Sequence, residues 1–335
     1  MAATTARTVI FAALAGNTAI AATKFAAALF TGSAAMMSEA IHSAVDTGNQ
    51  VLLLIGLRRA ARPASETHAF GHGLQLYFYT FVVAVLIFGL GAVISILHGI
   101  ERIRAPEPIA NPWINYVVLG LAVCFEGASW WIALRAFNQQ RAGQPLFSSV
   151  RNSKDPTVFT VLFEDTAALT GLVIALIGVV ASHVFDMPVI DGAASVAIGV
   201  VLAITAGFLA FESQSLLTGE SADPQTRRGL AALAQAEPGV ERVNDLRTMH
   251  FGPNEILVAL SLDFRDDLTA AQVEDTVARL EQGIRAAYPQ AGRIYVEAQS
   301  FANHQAVREA VMAAGGPGAL VSEVPGATPS PTKPA

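Results

Sequence analysis

The segment Glu39-Ala-Ile-His42-Ser-Ala-Val-Asp46-Thr-Gly-Asn49 decides how this chain folds. It lies within residues 34–57, a run that is otherwise apolar and long enough to cross a bilayer as a helix. Residues three and four apart share one face of a helix, so the four polar residues Glu39, His42, Asp46 and Asn49 form a single stripe. A carboxylate at the centre of a bilayer costs about 2.5–3.5 kcal/mol on insertion scales, and function or a partner normally offsets that cost. His42 and Asp46, one turn apart, are also a compact pair of ligands for a divalent metal ion.

The whole chain has the composition of a membrane protein. Of its 335 residues, 53% are hydrophobic and only 14% are charged, with a mean hydropathy of +0.46. The net charge of −6 provides no basic patch, so we expect no nucleic-acid partner. The single cysteine, Cys124, excludes an internal disulfide framework and a thiolate metal cluster.

Six apolar windows are long enough to span a bilayer, and they predict an α-helical, multi-pass integral membrane protein. The windows are residues 8–30, 34–57, 78–97, 113–137, 158–183 and 189–217. The positive-inside rule places both termini in the cytoplasm, because basic residues follow the second window and separate the fourth from the fifth. If the source is a bacterium, the membrane is the inner (plasma) membrane. The basic residues concerned are Arg58, Arg59, Arg62, Arg135, Arg141, Arg151 and Lys154.

The pattern changes after the sixth window. Residues 222–236 have helical spacing, 240–249 and 255–264 alternate as strands, 269–288 form an amphipathic helix and 292–298 form a short strand. This α-β-β-α-β order predicts a small cytoplasmic α+β domain. We therefore divide the chain into a transmembrane transport domain at 1–218, a cytoplasmic dimerisation domain at 219–301 and a disordered tail at 302–335.

Four of the windows contain polar residues at one depth. With a rise of about 1.5 Å per residue, Asn17, Asp46, Glu126 and Asp165 all lie about 14–18 Å from the cytoplasmic end of their helices. This agreement in depth predicts a shared site near the middle of the membrane. Glu164 and Asp165 point about 100° apart on a helix, so we expect only one of them to face this site directly and choose Asp165. Glu164 then lies either behind the ligands or against a neighbouring helix.

Several of these polar residues could have a structural role instead. Glu126 could equally form a structural ion pair with Lys24, and Asn17 and Asn49 could hydrogen-bond neighbouring helices. We treat Glu126, Asn49 and Glu39 as candidates for metal binding or for a proton relay. If His42 were isolated, we would interpret it as a packed core histidine. Because Asp46 lies one turn away at membrane depth, we interpret it as a metal ligand instead.

Several motifs resemble those of the cation diffusion facilitator family, in the branch around zinc transporter nine. The resemblance extends over residues 8–300 and is strong because the motifs occur together. They are the sequences Ser38-Glu-Ala-Ile-His42-Ser-Ala-Val-Asp46, His68-Ala-Phe-Gly71-His72-Gly73, Leu162-Phe-Glu164-Asp165, Gln214-Ser-Leu-Leu-Thr-Gly219 and Asp245-Leu-Arg-Thr248.

The resemblance implies a homodimer of six-span protomers that exports a divalent metal ion, usually zinc, in exchange for protons by alternating access. No cofactor is implied beyond the transported ions. His42 and Asp46 match the ligand pair of the second span, and Asp165 matches the second ligand of the fifth span. The residue at the position of the first ligand of the fifth span is Val161, whose side chain has no lone pair to give to a metal ion. A tetrahedral zinc site needs four donors, so Glu164, Glu126, Asn49 or water must supply the remaining one. We favour Glu164 slightly over Glu126, because the resemblance places it beside the ligand position, and so predict His42, Asp46, Asp165 and Glu164 as the ligands.

Two further regions bear on metal binding outside the membrane. Aligned with the family's zinc ligands in the soluble domain are Asn244, Leu260, Val296 and Ala298, so we expect dimerisation there without a dedicated zinc cluster. We expect His250, which flanks the hairpin, to be exposed. His68 and His72 match a metal site in the loop of some relatives and could bind a cation weakly.

The ligand chemistry suggests how transport is coupled to protons. Histidine and carboxylate bind metal only when deprotonated, so protonation from the outer compartment would release the ion. One imidazole with carboxylates suits zinc, cobalt or nickel better than manganese, although any of these remains an alternative cargo. A carrier of an organic solute is a second rival. An intramembrane metalloenzyme is a weaker one, because the chain has no His-Glu-x-x-His motif. We therefore expect a transporter and not an enzyme.

Overall fold

The computed structural model describes residues 2–109, 111–140 and 156–314. The chain divides into two compact units, Met1–Leu217 and Thr218–Ala335. Three of the basic residues on which the predicted orientation rests, Arg141, Arg151 and Lys154, lie outside the described residues.

The first unit consists of long helices. These are α1 (Ala2–Thr31), α2 (Ala34–Ala60), α3 (Leu74–Leu86), a π-helical segment (Ile87–Val93), α4 (Ile94–Arg104), α5 (Pro112–Gln140), α6 (Pro156–Val184) and α7 (Val189–Leu217). Within the described ranges, four helical stretches are long and apolar enough to cross a membrane: Leu74–Arg104, Pro112–Trp131, Phe159–Val184 and Val189–Leu217. The predicted helical membrane fold is confirmed. The count of six spans stays a prediction for α1 and α2.

The start of α2 is fixed by side chains from two helices. Ser33, in an extended conformation, accepts a hydrogen bond from the backbone N–H of Met36, which is a typical N-cap. Asp191 of α7 accepts from the Ser33 hydroxyl at 2.6 Å and from the N–H of Ala34 at 2.5 Å. The buried Asp191 thus satisfies free amide groups at the N-terminus of α2 and ties that end to α7.

The segment that follows α3 packs very closely on α7. A Cβ at Gly99 of α4 would lie 2.7 Å from the carbonyl oxygen of Gly192, and one at Gly199 would lie 2.8 Å from the carbonyl oxygen of Ala92. Small residues allow this approach of two backbones within a membrane. The sequence predicted one regular helix here, whereas Ile87–Val93 is π-helical.

The second unit is a three-stranded sheet with helices. Its elements are α8 (Pro224–Ala236), β1 (Val240–Gly252), β2 (Glu255–Phe264), α9 (Ala270–Ala287), β3 (Arg293–Ala298) and α10 (Phe301–Ala313). The strand order is β1-β2-β3, with β1 and β2 antiparallel and β2 and β3 parallel. Apolar side chains of α8, α9 and all three strands, such as Leu230, Val258 and Ile284, form its core. This confirms the predicted α-β-β-α-β domain.

Helix α10 contradicts part of the predicted disordered tail. Ser300 caps it by accepting from the N–H of Asn303 at 3.4 Å, and the N–H of Phe301 donates to Asp263 at 3.0 Å. The Arg242 guanidinium lies 4.0 Å from the centre of the Phe301 ring. Residues 302–313 are therefore helical, and the prediction was wrong for them because these contacts come from distant strands. The rest of the predicted tail, 315–335, lies outside the described residues.

Candidate metal site

One cavity in the first unit is lined by polar residues from four helices. It brings together Asp46 of α2, Glu126 of α5 and the acids of α6. Its lining residues are Asn17, Ser43, Asp46, Gln50, Glu126, Ser129, Val161, Glu164 and Asp165. The side chains that were predicted to share one depth therefore share one cavity.

On α2, the predicted ligand pair is in contact. His42 is 1% exposed, and its Nε2 lies 3.4 Å from Oδ2 of Asp46. Among the described residues, neither the two ring nitrogens of His42 nor Oδ1 of Asp46 have a hydrogen-bond partner. Buried polar atoms are normally satisfied, so these three atoms suit a cation that the protein receives from outside.

On α6, both acids reach the cavity, although only Asp165 was expected to do so. Glu164 is 5% exposed and its Oε1 accepts a hydrogen bond from Nδ2 of Asn49 at 3.0 Å. Oδ2 of Asp165 accepts from the Ser129 hydroxyl of α5 at 3.2 Å. The expectation that only one of the two acids faces the cavity was wrong, because the cavity extends from α2 to α5 and side chains about 100° apart both line it.

Lys24 pairs with Glu39 and not with Glu126, which the sequence had left as one of two equal alternatives. Its ammonium lies 3.2 Å from Oε2 of Glu39 and donates to the Ser43 hydroxyl at 2.7 Å. The ion pair thus joins α1 to α2, and Glu126 instead lines the cavity. Glu39 is fully buried in this pair and does not line the cavity wall.

The site is not assembled as a closed coordination shell. Within the described residues, no three His, Cys, Asp or Glu side chains are arranged to hold a metal ion. His42 and Asp46 form a pair, and the acids of α5 and α6 would have to move toward it to add donors. The assignment of His42, Asp46, Asp165 and Glu164 as ligands stays a prediction.

The loop histidines lie side by side between α2 and α3. The rings of His68 and His72 stack with their centroids 4.3 Å apart; His68 is exposed and His72 is half-buried. Nδ1 of His68 lies 3.1 Å from the Thr67 hydroxyl, and Nδ1 of His72 lies 3.1 Å from the carbonyl oxygen of Pro63. These contacts do not test whether the two histidines bind a cation, so the weak metal site in this loop stays a prediction.

In the second unit, the positions aligned with zinc ligands have other roles. Asn244 donates to the carbonyl oxygen of Gln299 at 2.7 Å, and Leu260 lies in the core. His250 is 4% exposed, so the expectation that it is exposed was wrong. The reason is that β1 continues to Gly252, which places His250 within the strand and not in the turn.

Comparisons with known proteins identify the class and the family. Residues 10–218 match the family model described as the cation efflux transmembrane domain, and residues 222–299 match that of the cytoplasmic domain of cation efflux proteins. The chain is therefore an integral membrane protein of the transporter class and not an enzyme. It belongs to the cation efflux family, as the resemblance to zinc transporter nine and its relatives predicted.

Three relatives illustrate the similarity. The chain is 31% identical over 243 residues to the mitochondrial proton-coupled zinc antiporter SLC30A9 of Mus musculus, covering 72% of this chain and 43% of that protein. It is 28% identical to metal tolerance protein C4 of Arabidopsis thaliana, and the match covers 73% of this chain and 54% of that protein. It is 24% identical to the cation-efflux pump FieF of Klebsiella pneumoniae, and the match covers 82% of this chain and 90% of that protein. The chain thus spans less than half the length of its SLC30A9 relatives.

Proposed function

We propose that this protein exports a divalent metal ion, with zinc as the main cargo, in exchange for protons. The observation that carries the proposal is the set of unsatisfied donor atoms on His42 and Asp46 beside the acids of one cavity. An imidazole and a carboxylate with free lone pairs bind zinc, cobalt and nickel well. The names of the relatives, a zinc antiporter among them, support the same cargo.

We propose Glu164 as the donor that replaces the family ligand at Val161. Asn49 lies three residues after Asp46 on α2, and its amide holds Glu164 toward that helix at 3.0 Å. Glu164 also lines the same cavity as Asp46 and Asp165. Glu126, which lines this cavity from α5, is the second candidate.

Exchange with protons follows from competition at these donors. When the cavity opens to the cytoplasm, deprotonated His42, Asp46 and Asp165 bind the metal ion. When it opens to the other side, protons occupy the same atoms and the metal ion leaves. Each half of the cycle therefore presents one type of cation to the site, and no separate proton path is needed. No resident cofactor takes part.

The assembly and orientation are also proposals. The match of residues 222–299 to the cytoplasmic domain of cation efflux proteins supports a homodimer formed through the second unit. Exposed Arg58 and Arg59 at the end of α2 support a cytoplasmic location for that end and hence for both termini. In a bacterium the protein would lie in the inner membrane.

Reconstitution of the full chain into liposomes tests the proposed cargo. A zinc-sensitive dye inside the vesicles should report zinc entry, and a vesicle interior more acidic than the bath should accelerate it, because protons leave as zinc enters. Asp46→Asn should stop it, because the amide cannot supply the anionic donor. Thr47→Val is the matched control, since the Thr47 hydroxyl donates to its own helix, at the carbonyl oxygen of Ser43. Zinc entry that is equal in vesicles with and without the protein would refute the proposal. Entry of cobalt, nickel or manganese in place of zinc would reassign the cargo.

A further inference from the structure

A buried ion pair lies next to the proposed metal site without lining its cavity. Lys24 of α1 and Glu39 of α2 are each 0% exposed. The Lys24 ammonium contacts Glu39 at 3.2 Å and the Ser43 hydroxyl at 2.7 Å. Charges at this depth are expensive and are kept for a specific purpose. The pair fixes α1 against two positions of α2 that are one turn apart.

The second oxygen of Glu39 reaches a third helix. Oε1 has no hydrogen-bond partner among the described residues and lies against Gly171 of α6. A Cβ at Gly171 would overlap this oxygen, so any other residue here would force the Glu39 carboxylate to shift. A single carboxylate therefore contacts α6 and also holds α1.

These contacts surround the turn of α2 that carries the ligands. Glu39 precedes His42 by three residues and so lies on the same face, and Ser43 follows His42 and lines the cavity. On α6, Gly171 lies six residues after Asp165. A shift or rotation of α2 would therefore move His42 and Asp46 relative to the acids of α6.

We propose that Lys24, Glu39 and Gly171 form a positioning element for the metal site. They hold α2 at the depth and rotation at which Asp46 shares a cavity with the acids of α6 and His42 lies against Asp46. This inference rests on the proposed metal-binding function. The alternative is that Lys24 only neutralises Glu39 so that α2 can enter the membrane, in which case the exact contacts do not affect metal binding.

The test is zinc affinity of the full chain in detergent, measured by titration calorimetry together with the thermal unfolding midpoint. Gly171→Ala changes no charge and no proposed ligand, but its Cβ displaces Glu39. We expect zinc binding about tenfold weaker, equivalent to about 1.4 kcal/mol. Glu39→Asp alone keeps the negative charge but withdraws the carboxylate from both Lys24 and Gly171. It should weaken zinc binding to a similar extent.

The matched control is Gly178→Ala, two turns further along the same face of α6. Its Cβ would meet Ala194 of α7 and not Glu39. We expect a lower unfolding midpoint with unchanged zinc affinity. If Gly178→Ala lost as much zinc affinity as Gly171→Ala, the effect at Gly171 would be one of general helix packing, and the inference would be overturned. Wild-type affinity in Gly171→Ala or in Glu39→Asp would also overturn it.

A second variant keeps the test decisive if Gly171→Ala is not recovered folded. Lys24→Ala/Glu39→Ala removes both charges together and leaves no unpaired charge in the membrane. It should fold and bind zinc about tenfold more weakly, because the link between α1, α2 and α6 is gone. Wild-type affinity in this variant would overturn the inference. Wild-type protein that binds no zinc would instead refute the proposed function on which the inference rests.

Discussion

Replacing Glu164 by glutamine tests whether this acid supplies the donor that is missing at Val161. The amide oxygen of the substituted glutamine can still accept the hydrogen bond that Asn49 now donates at 3.0 Å, so the fold should survive. What the variant loses is the negative charge. A pair of unit charges about 4 Å apart is worth about 4 kcal/mol at an effective dielectric constant of about 20. The retained amide oxygen and water replace part of that electrostatic energy. We therefore expect zinc affinity to fall by at least about tenfold, which is about 1.4 kcal/mol.

The assay compares zinc dissociation constants and zinc flux of Glu164→Gln with those of Glu126→Gln. We expect Glu126→Gln to change expression or stability more than affinity. Asn49→Ala is the matched control, because it removes the hydrogen bond and leaves the Glu164 charge in place. It should weaken binding less than Glu164→Gln does, because the anionic donor remains. If Glu164→Gln and Glu126→Gln both bind zinc like the wild type, the remaining donor is water or Asn49 and the reasoning fails.

Three further predictions concern the ligands, Val161 and the second unit. Asp46→Ala and Asp165→Ala should each abolish zinc flux while the protein still folds and inserts, since each removes an anionic donor; near-normal flux in either would misplace the site. Val161→His should tighten zinc binding in calorimetry, because Val161 lines the cavity one turn before Asp165 and a histidine there supplies a donor. Unchanged or weaker binding would show that this face of α6 does not reach the ion. The isolated compact unit, residues 218–314, should bind no zinc tightly in a metal-content measurement; a stoichiometric site would contradict the assignment of Asn244 and Leu260 to structural roles.

The sequence predicted the parts of the fold that depend on local pattern. The apolar runs predicted the long helices, and the alternation after residue 239 predicted β1 and β2 nearly at their observed bounds. Helix α10 was missed because Asp263 and Arg242, which contact Phe301 at its start, lie far away in the sequence. That Asp191 caps α2 and not the helix in which it lies was not predicted for the same reason, since its partners are more than 150 residues away.

The sequence also predicted most of the candidate site, because depth in the membrane follows from helical rise alone. Counting residues from the helix ends was enough to place Asp46, Glu126 and Asp165 at one level, and all three line one cavity. Rotation about the helix axis was harder to predict. The packing of α1, α5 and α6 decides whether Lys24 meets Glu39 or Glu126. It also decides whether Glu164 faces the cavity.

The most direct test of metal–proton exchange is the simultaneous measurement of both ions in one vesicle preparation. Proteoliposomes of the full chain would contain a zinc-sensitive dye and a pH-sensitive dye, with no imposed pH gradient. Addition of external zinc should produce zinc entry together with a rise of the internal pH, because protons leave as zinc enters, with a fixed ratio of the two rates. Both signals should disappear together in Asp46→Asn. Zinc entry without any proton movement, or proton movement that persists in Asp46→Asn, would contradict exchange at a single His42–Asp46 site.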